Sequence, residues 1–362
     1  MINKTLSLVI PCYNEEKTIC QLVETVIQVL NEHISLELVI VDDCSTDSSY
    51  AEIQKIKEKY PQIIKVLKQE VNKGKGAALH LGLMSASGDY IGIQDADMEY
   101  NPMDYLELVK YLEKDVADVV YGSRYLRRSN RRALYFWHTL MNKTLTFFSN
   151  TFTNIDITDM ETCYKLFKKD VIHNIVPQLK ENRFGFEPEV TQYVALGQYR
   201  VYECAIEYNP RSYEEGKKIN WKDGVRALYC IVKYGAPYAP LPMQLLLYLL
   251  IGSISAVFNI IAFAILFNLL SIPLSQFFAY CVGAVVNYFL CITLLFHCKG
   301  KWASVKRFLL YCWVVLLMCS FDFIITISLI YINCSPITSK TIAAFLGVFG
   351  NFILRKYIVF KK

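Results

Sequence analysis

The chain has 362 residues, of which 54% are apolar and 20% charged, and its net charge at pH 7 is +5. That length accommodates one large domain and a second, smaller one, while the apolar fraction exceeds that of an ordinary soluble protein. From Met243 onward nine basic residues face one acid, Asp322, whereas the preceding part carries 29 basic against 32 acidic residues, too acidic for a nucleic-acid footprint.

The twelve cysteines include no CxxC pair, and Cys281, Cys291, Cys312 and Cys319 lie inside apolar stretches. They read as small apolar fillers rather than a disulfide framework. Met1–Ile10 shows no basic region followed by a long apolar core, so the first domain is expected to stay in the cytosol.

From Thr5 to Asp118, β-rich runs (LSLVI, LELVIV, IIKVL, YIGIQ, ADVVYG) alternate with helical stretches at Glu15–Asn31, Ser48–Tyr60, Gly76–Ala86 and Met103–Glu113. Such alternation predicts a mainly parallel sheet covered by helices on both faces. Ligands in these sheets bind at the carboxyl ends of the strands, so the loops that follow each run carry the information. The first loop, Pro11-Cys12-Tyr13-Asn14-Glu15, offers an aromatic ring and polar groups suited to a base. The second, Asp42-Asp43-Cys44-Ser45-Thr46-Asp47, offers a carboxylate for a base or ribose hydroxyl, with Ser45 or Thr46 expected to cap the next helix. The third, Asn72-Lys73-Gly74-Lys75-Gly76, is a basic glycine-rich turn entering a helix, which suits an anion and puts Lys75 near it. It is neither a Walker A loop nor GxGxxG.

The fourth loop, Asp95-Ala96-Asp97-Met98-Glu99, spaces three carboxylates on alternate residues. A hard cation, Mg²⁺ or Mn²⁺, held by few carboxylates and completed by diphosphate oxygens fits this pattern. Further on, RRALYFWHTLMNKTLTFFSNTF between Arg131 and Phe152 combines basic residues with an aromatic stripe that could guide an apolar chain or form a core helix. Asp159 could touch a ligand or cap a turn; Glu187 and Glu189 invite a general-base reading; His80 and His173 have no partner pattern and read as structural.

Ahead of the membrane half, Trp221, Val225, Leu228, Tyr229 and Val232 recur at helical spacing opposite Lys222, Arg226 and Lys233. A helix of this kind lies in a membrane interface or packs on the soluble domain, and Pro237, Pro240 and Pro242 then punctuate the approach to the bilayer. Four apolar stretches follow at about 243–267, 274–296, 305–332 and 337–360, each near or above the ~20 residues that span the hydrocarbon core. The uncharged connections at Ser271–Pro273 and Asn333–Ser339, set against basic Lys299–Arg307 and Arg355–Lys362, predict both termini and the middle loop on the cytoplasmic side. Asp322, mid-segment, points either to a helix–helix hydrogen bond with Asn259, Asn287 or Asn351 or to a lipid-phosphate or transport role.

The ordered set PCYNEE, VDDCSTDSS, NKGKGAALHLG, DADME and YGSRY resembles glycosyltransferase family 2 with a GT-A fold, nearest to dolichyl-phosphate mannose synthases and bacterial polyprenyl-phosphate glycosyltransferases. ITDMETCYKLF, RFGFEPEV and RSYEEGKKINWKDG extend the likeness to about Tyr234, and FAYCVGAVVNYFL with LGVFGNFILRKYIVF resembles the GtrA-like membrane domain. The resemblance implies an α/β, Rossmann-like GT-A domain over residues 1–218, an amphipathic helix and linker over 219–242, and an all-α four-helix transmembrane domain over 243–362.

It further implies that Pro11, Tyr13, Glu15, Val41 and Asp43 hold the nucleoside of a nucleotide-sugar, and that Asp95, Ala96, Asp97 and Glu99 surround a metal–diphosphate. Glu99 departs from the glutamine common there. Arg124 with Arg131 or Arg132 would meet the phosphate of a polyprenyl or dolichyl acceptor, and Arg211 with Lys217 or Lys218 would close over the donor diphosphate. Catalysis would then rest on Asp95, Asp97 and Arg124, and the partners would be the nucleotide-sugar, the lipid acceptor and membrane lipids; self-association into a homo-oligomer stays open. Two rival readings remain: a processive polysaccharide synthase, whose QxxRW signature is absent, and a transport or scaffold protein that only binds nucleotide-sugar.

Overall fold

A computed structural model of the chain describes residues 2–126, 132–210, 221–266, 268–296, 305–334 and 336–360. The chain forms two compact units, Met1–Tyr238 and Ala239–Lys362.

In the first unit, β1 (Ile2–Cys12), α1 (Ile19–Leu30), β2 (Ile34–Asp42), α2 (Ser49–Lys59), β3 (Ile64–Lys68), α3 (Lys75–Ser85), β4 (Tyr90–Ile93), α4 (Asp104–Glu113) and β5 (Val119–Ser123) realise the predicted alternation. Leu6, Leu8, Val9 and Ile10 of β1 are fully buried on both faces, as strands of a helix-covered parallel sheet must be. Beyond β5 come α5 (Phe136–Thr153), β6 (Lys165–Lys168), α6 (Lys169–Ile175), α7 (Phe186–Leu196), β7 (Val201–Ala205) and α8 (Trp221–Gly235). The seven strands lie in the order β3-β2-β1-β4-β6-β5-β7. β6 is antiparallel to both β4 and β5, and the remaining pairs are parallel. All strands but β6 therefore point the same way, and their carboxyl ends open on one edge.

The segment between α6 and α7 is braced from several sides. Gly74 (φ +100°) and Gly76 bring the start of α3 against the backbone of Glu181 and Asn182, where a Cβ at Gly76 would collide with the Glu181 carbonyl. Ala77 N–H donates to Asn182 O at 3.0 Å. From α7, the Glu189 carboxylate accepts the Lys180 N–H at 3.0 Å and the Glu181 N–H at 2.8 Å. From α8, Arg226 (2.6 Å), Lys233 (3.0 Å) and the Tyr234 hydroxyl (2.7 Å) all donate to the buried Glu181 carboxylate.

The helix α8 turns Ala227, Cys230, Ile231 and Gly235 inward and leaves Trp221, Val225, Leu228 and Tyr229 exposed. It lies beside α5, where Gly235 admits Phe152 and Gly224 faces Met141. The helix α5 in turn exposes Phe136, Trp137, Leu140 and Met141. Apolar residues on the outer face and charged ones on the Glu181 side give α8 the amphipathic character its sequence predicts.

The second unit consists of α9 (Leu241–Leu266), α10 (Ile272–Leu290), α11 (Val305–Tyr331) and α12 (Pro336–Leu354). The ends of α10 and α12 widen into π-helical turns at Cys291–Phe296 and Arg355–Val359. Among the described residues, α9 is long and apolar enough to cross a membrane. Tyr248, Tyr288, Leu295, Phe296, Tyr311, Phe352 and Phe360 share one buried cluster. Within the bundle, Arg355 donates to Asn287 Oδ1, and its guanidinium lies 4.6 Å from the Tyr311 ring and 5.5 Å from that of Tyr248. The side chain of Asp322 lies outside the described residues.

Burial alone would raise the Glu181 carboxyl, but the hydrogen bonds from Tyr234, Arg226 and Lys233 bring it down to about 2. A carboxyl depressed below its unfolded value of ~4.3 stabilises the fold fully above that pH and loses the contribution as pH falls toward 2. Glu181→Gln is therefore expected to lower the melting temperature at pH 7, with the gap to the parent closing as pH falls from about 4.3 toward 2. Melting curves across that range, followed by circular dichroism, check this; a constant gap would show that Glu181 is not the titrating centre.

Candidate active site

The loops at the carboxyl edge of the sheet enclose a cleft of about 370 Å³, in the size range of small-molecule sites. Pro11, Tyr13, Glu15 and Asp43 line one part of it. Lys75, Asp95, Ala96, Asp97, Glu99 and Arg124 line the rest of the predicted set. Val41 does not face the cleft: it is fully buried in β2, opposite Pro11 in the sheet register. Arg131, Arg211, Lys217 and Lys218 lie outside the described residues.

The first two loops are knitted together. Asn14, at φ 53°, donates its backbone N–H to Ser45 Oγ (3.1 Å), and its side-chain carbonyl accepts the Thr46 N–H (2.8 Å). Glu15 N–H donates to Ser49 Oγ at 2.7 Å. Ser45 and Thr46 thus serve the neighbouring loop, and the expected helix cap is not formed: Ser48 is the N-cap of α2, without a side-chain bond. The Asp43 carboxylate accepts the backbone N–H groups of Lys73 and Gly74, both at 2.8 Å. It thereby fixes the basic turn that precedes α3. Tyr13 stays partly exposed at the rim.

Two of the cations that line the cleft, Lys75 and Arg124, are held by carboxylates. Lys75 Nζ sits 2.9 Å from Asp95 Oδ1 and 3.1 Å from Glu187 Oε1. Burial would lower this amine, but the two carboxylates hold it well above the usual lysine value, so it stays charged. Arg124 follows β5 and forms a two-pronged pair with Asp159, Nε to Oδ2 at 2.7 Å and Nη2 to Oδ1 at 2.8 Å. Asp159 also accepts the Arg124 backbone N–H at 3.0 Å. Glu203 of β7 holds the backbone of Thr158 (2.8 Å) and Asp159 (3.3 Å), so the pair is anchored to the sheet.

In the acidic turn, Asp97 Oδ1 accepts the Glu99 N–H at 3.2 Å, and the Tyr208 hydroxyl donates to Glu99 Oε2 at 2.8 Å. Thr18 Oγ1 donates to Ala96 O at 3.0 Å, tying this turn to the first loop. Among the described residues no three His, Cys, Asp or Glu side chains already converge on a point. The donor chemistry still fits a hard cation: Asp95, Asp97 and Glu99 present carboxylate oxygens from one turn, and oxygens of a bound diphosphate would complete a shell.

Tyr208, Glu161, Cys163, Arg183 and Phe184 also line the cleft, although no role for them is evident from sequence. The motifs METC and RFGF that contain four of them are visible, but their place beside the DADME turn comes from tertiary packing. Glu189 is engaged by backbone donors away from the cleft, whereas Glu187 is the carboxylate that reaches it. His173 Nε2 bonds with Leu83 O (3.1 Å) and His80 packs against Phe186, so both are structural. Arg132 reaches Pro210 O at 3.4 Å, outside the cleft.

Residues 7–176 match the model for glycosyl transferase family 2, and residues 247–360 match that for the GtrA/DPMS transmembrane domain. A dolichyl-phosphate beta-glucosyltransferase of Dictyostelium discoideum is 29% identical over 218 residues, 57% of this chain and 67% of its own. The dolichol-phosphate mannosyltransferase of Pyrococcus furiosus is 27% identical over 59% of this chain and 58% of its own. The dodecaprenyl-phosphate galacturonate synthase of Rhizobium johnstonii is 26% identical over 59% and 61%. The chain thus spans about three-fifths to two-thirds of the length of these relatives. A crystal structure of glucosyl-3-phosphoglycerate synthase from Mycobacterium tuberculosis, with Mn²⁺, UDP-glucose and phosphoglyceric acid, overlaps at TM-score 0.49 and 17% identity, covering 64% of this chain and 80% of that one. The chain therefore carries a glycosyl transferase family 2 domain over residues 7–176 and a GtrA/DPMS transmembrane domain over residues 247–360.

Removing Asp159 would leave the Arg124 guanidinium buried without its counter-charge, which costs about 3–5 kcal/mol. Asp159→Ala is expected to lower unfolding free energy by that order, and Asp159→Asn by less, in urea titrations of the purified protein.

Proposed function

We propose that this family 2 glycosyltransferase moves a neutral hexose from a nucleotide-sugar, of the GDP-mannose or UDP-glucose type, to the phosphate of a polyprenyl or dolichyl lipid. The observation that carries the reading is one cleft in which a carboxylate-rich turn, Asp95 to Glu99, faces two fixed cations, Lys75 and Arg124. The named relatives, which act on glucose, mannose and galacturonate with dolichyl or dodecaprenyl phosphate, support the acceptor class.

The roles follow from the chemistry. A lipid phosphate is ionised at neutral pH, so its oxygen attacks the anomeric carbon without a deprotonating base. The new carbon–oxygen bond forms as the bond to the nucleoside diphosphate breaks on the opposite side, and the configuration inverts. Pro11, Tyr13, Glu15 and Asp43 are assigned to the nucleoside. Asp43 acts in addition through the Lys73–Gly74 backbone it fixes. Asp95, Asp97 and Glu99 would hold Mg²⁺ or Mn²⁺, which when bound offsets the charge of the leaving diphosphate.

Arg124 keeps a planar donor fork oriented by Asp159, the form of cation that suits phosphate oxygens. Arg131 or Arg132 is assigned to the acceptor phosphate, and Arg211 with Lys217 to the donor diphosphate. The four helices α9 to α12 are read as four spans, with the catalytic domain and both termini on the cytoplasmic side. The exposed aromatic residues of α5 and α8 are read as lying at the lipid surface, where the acceptor resides.

Asp97→Ala is expected to cut transfer at least about a hundredfold while leaving the melting temperature within a few degrees. The assay follows label from radiolabelled UDP- or GDP-sugars into an organic-extractable product with undecaprenyl or dolichyl phosphate; retention of activity would remove Asp97 from the metal–diphosphate site. Arg132→Ala is expected to raise KM for the lipid phosphate about tenfold or more with KM for the donor unchanged. An effect confined to the donor would move Arg132 out of the acceptor site.

A further inference from the structure

The loop between α5 and β6 sends two carboxyl groups inward on alternate residues. Asp159 is consumed by Arg124. Glu161 lines the cleft instead, and its Oε1 is shut off from solvent without a hydrogen-bond partner among the described residues. The other carboxyl groups around the cleft are engaged: Glu15 by the Thr18 hydroxyl, Asp43 by the Lys73 and Gly74 amides, Asp95 and Glu187 by Lys75, Asp97 by the Glu99 amide, and Glu99 by Tyr208. A buried polar atom left unmatched in a ligand cleft is what a substrate group is placed to satisfy.

The position narrows the class of group. With the nucleoside assigned to the Tyr13 and Asp43 end and the diphosphate to the Asp95–Glu99 turn and Lys75, the wall formed by Glu161, Glu187, Arg124, Arg183 and Phe184 is what remains for the sugar. We infer that Glu161 is a specificity-determining residue whose carboxyl hydrogen-bonds a hydroxyl of the donor hexose, selecting a neutral hexose over a hexuronate. This rests on the transfer reading given above.

The electrostatics agree with the geometry. Burial, with the Glu187 charge adding to it, pushes the Glu161 carboxyl well above the usual carboxylate range, against the pull of Lys165 and Arg124. Glu187 on α7, Lys165 on β6, Arg124 after β5 and Asp159 in the same loop are the charged groups that act on it. A neutral carboxylic acid both donates and accepts, which matches a sugar hydroxyl. A hexuronate carboxylate set there would meet Glu187 and, once ionised, Glu161.

The test compares the parent with Glu161→Met, which keeps the volume and removes hydrogen bonding, and Glu161→Gln, which keeps a neutral donor and acceptor. Transfer to undecaprenyl phosphate is measured with UDP-glucose, UDP-galactose, GDP-mannose, UDP-glucuronate and deoxy analogues of the preferred donor, alongside inhibition by free UDP or GDP. In the parent, kcat/KM for the preferred hexose exceeds that for the matching deoxy analogue by about a hundredfold or more. Glu161→Met is expected to collapse that ratio below about tenfold with inhibition by the nucleoside diphosphate unchanged, and Glu161→Gln to preserve most of it. A common loss for all donors, or a parallel loss of nucleoside diphosphate affinity, would overturn the assignment, as would a parent that prefers UDP-glucuronate. Should the parent transfer to no lipid, the transfer reading fails by itself. Calorimetric affinities of nucleotide-sugar against free nucleoside diphosphate then still decide the role of Glu161, since only a sugar contact makes Glu161→Met lose the difference between them.

Discussion

Lys75 holds two carboxylates from distant parts of the chain, Asp95 after β4 and Glu187 at the start of α7, within 3.1 Å of one ammonium group. The rest of the cleft depends on this. Acids from five separate segments converge on one cleft, and without fixed cations their repulsion would spread the loops apart. Lys75 and Arg124 make the concentration of charge tolerable, each by pairing with carboxylates that the fold supplies. A buried pair of this kind adds little net stability but is costly to break. Its function is to hold geometry.

The parallel half of the sheet was legible because each of its strands is a short apolar run bounded by polar loops, and burial on both faces makes such runs conspicuous. The strands β6 and β7 were not, since Lys165–Lys168 is a KLFK run of four residues and Val201–Ala205 is mostly half-buried at the sheet margin, with only Cys204 of its residues buried. Similarly, Tyr13, Asp43 and the DADME turn lie at or just past strand ends and could be placed at the cleft from order alone. Glu161 could not. A glutamate in a loop is ordinarily solvated, and only tertiary packing, which closes solvent off from its Oε1, gives it a distinct chemistry.

Val41 shows a different limit. The resemblance attaches it to the nucleoside, and the structure buries its side chain in the sheet beside Pro11. Patterns of residues record which positions travel together and do not separate a side chain that meets a ligand from one that supports the strand beneath it. Ser45 and Thr46 show the same limit at the level of local structure. Their sequence context suits a helix cap, but Asn14 in its left-handed conformation competes for both. Capping preference is a local term, and a tertiary hydrogen bond of similar strength overrides it.

The close packing of Gly74 and Gly76 on Glu181, Asn182 and Arg183 joins two segments more than a hundred positions apart into one mechanical part. Neither can be exchanged by itself. A chimera that imports the RFGF loop from a relative while retaining the NKGKG turn would bring together surfaces shaped for different neighbours, with no side chain on the glycine side to adjust. Recombination of this enzyme with its relatives is therefore modular only when the crossover points keep residues 72–82 and 179–190 from the same parent, a linkage invisible to any scheme that cuts at domain boundaries.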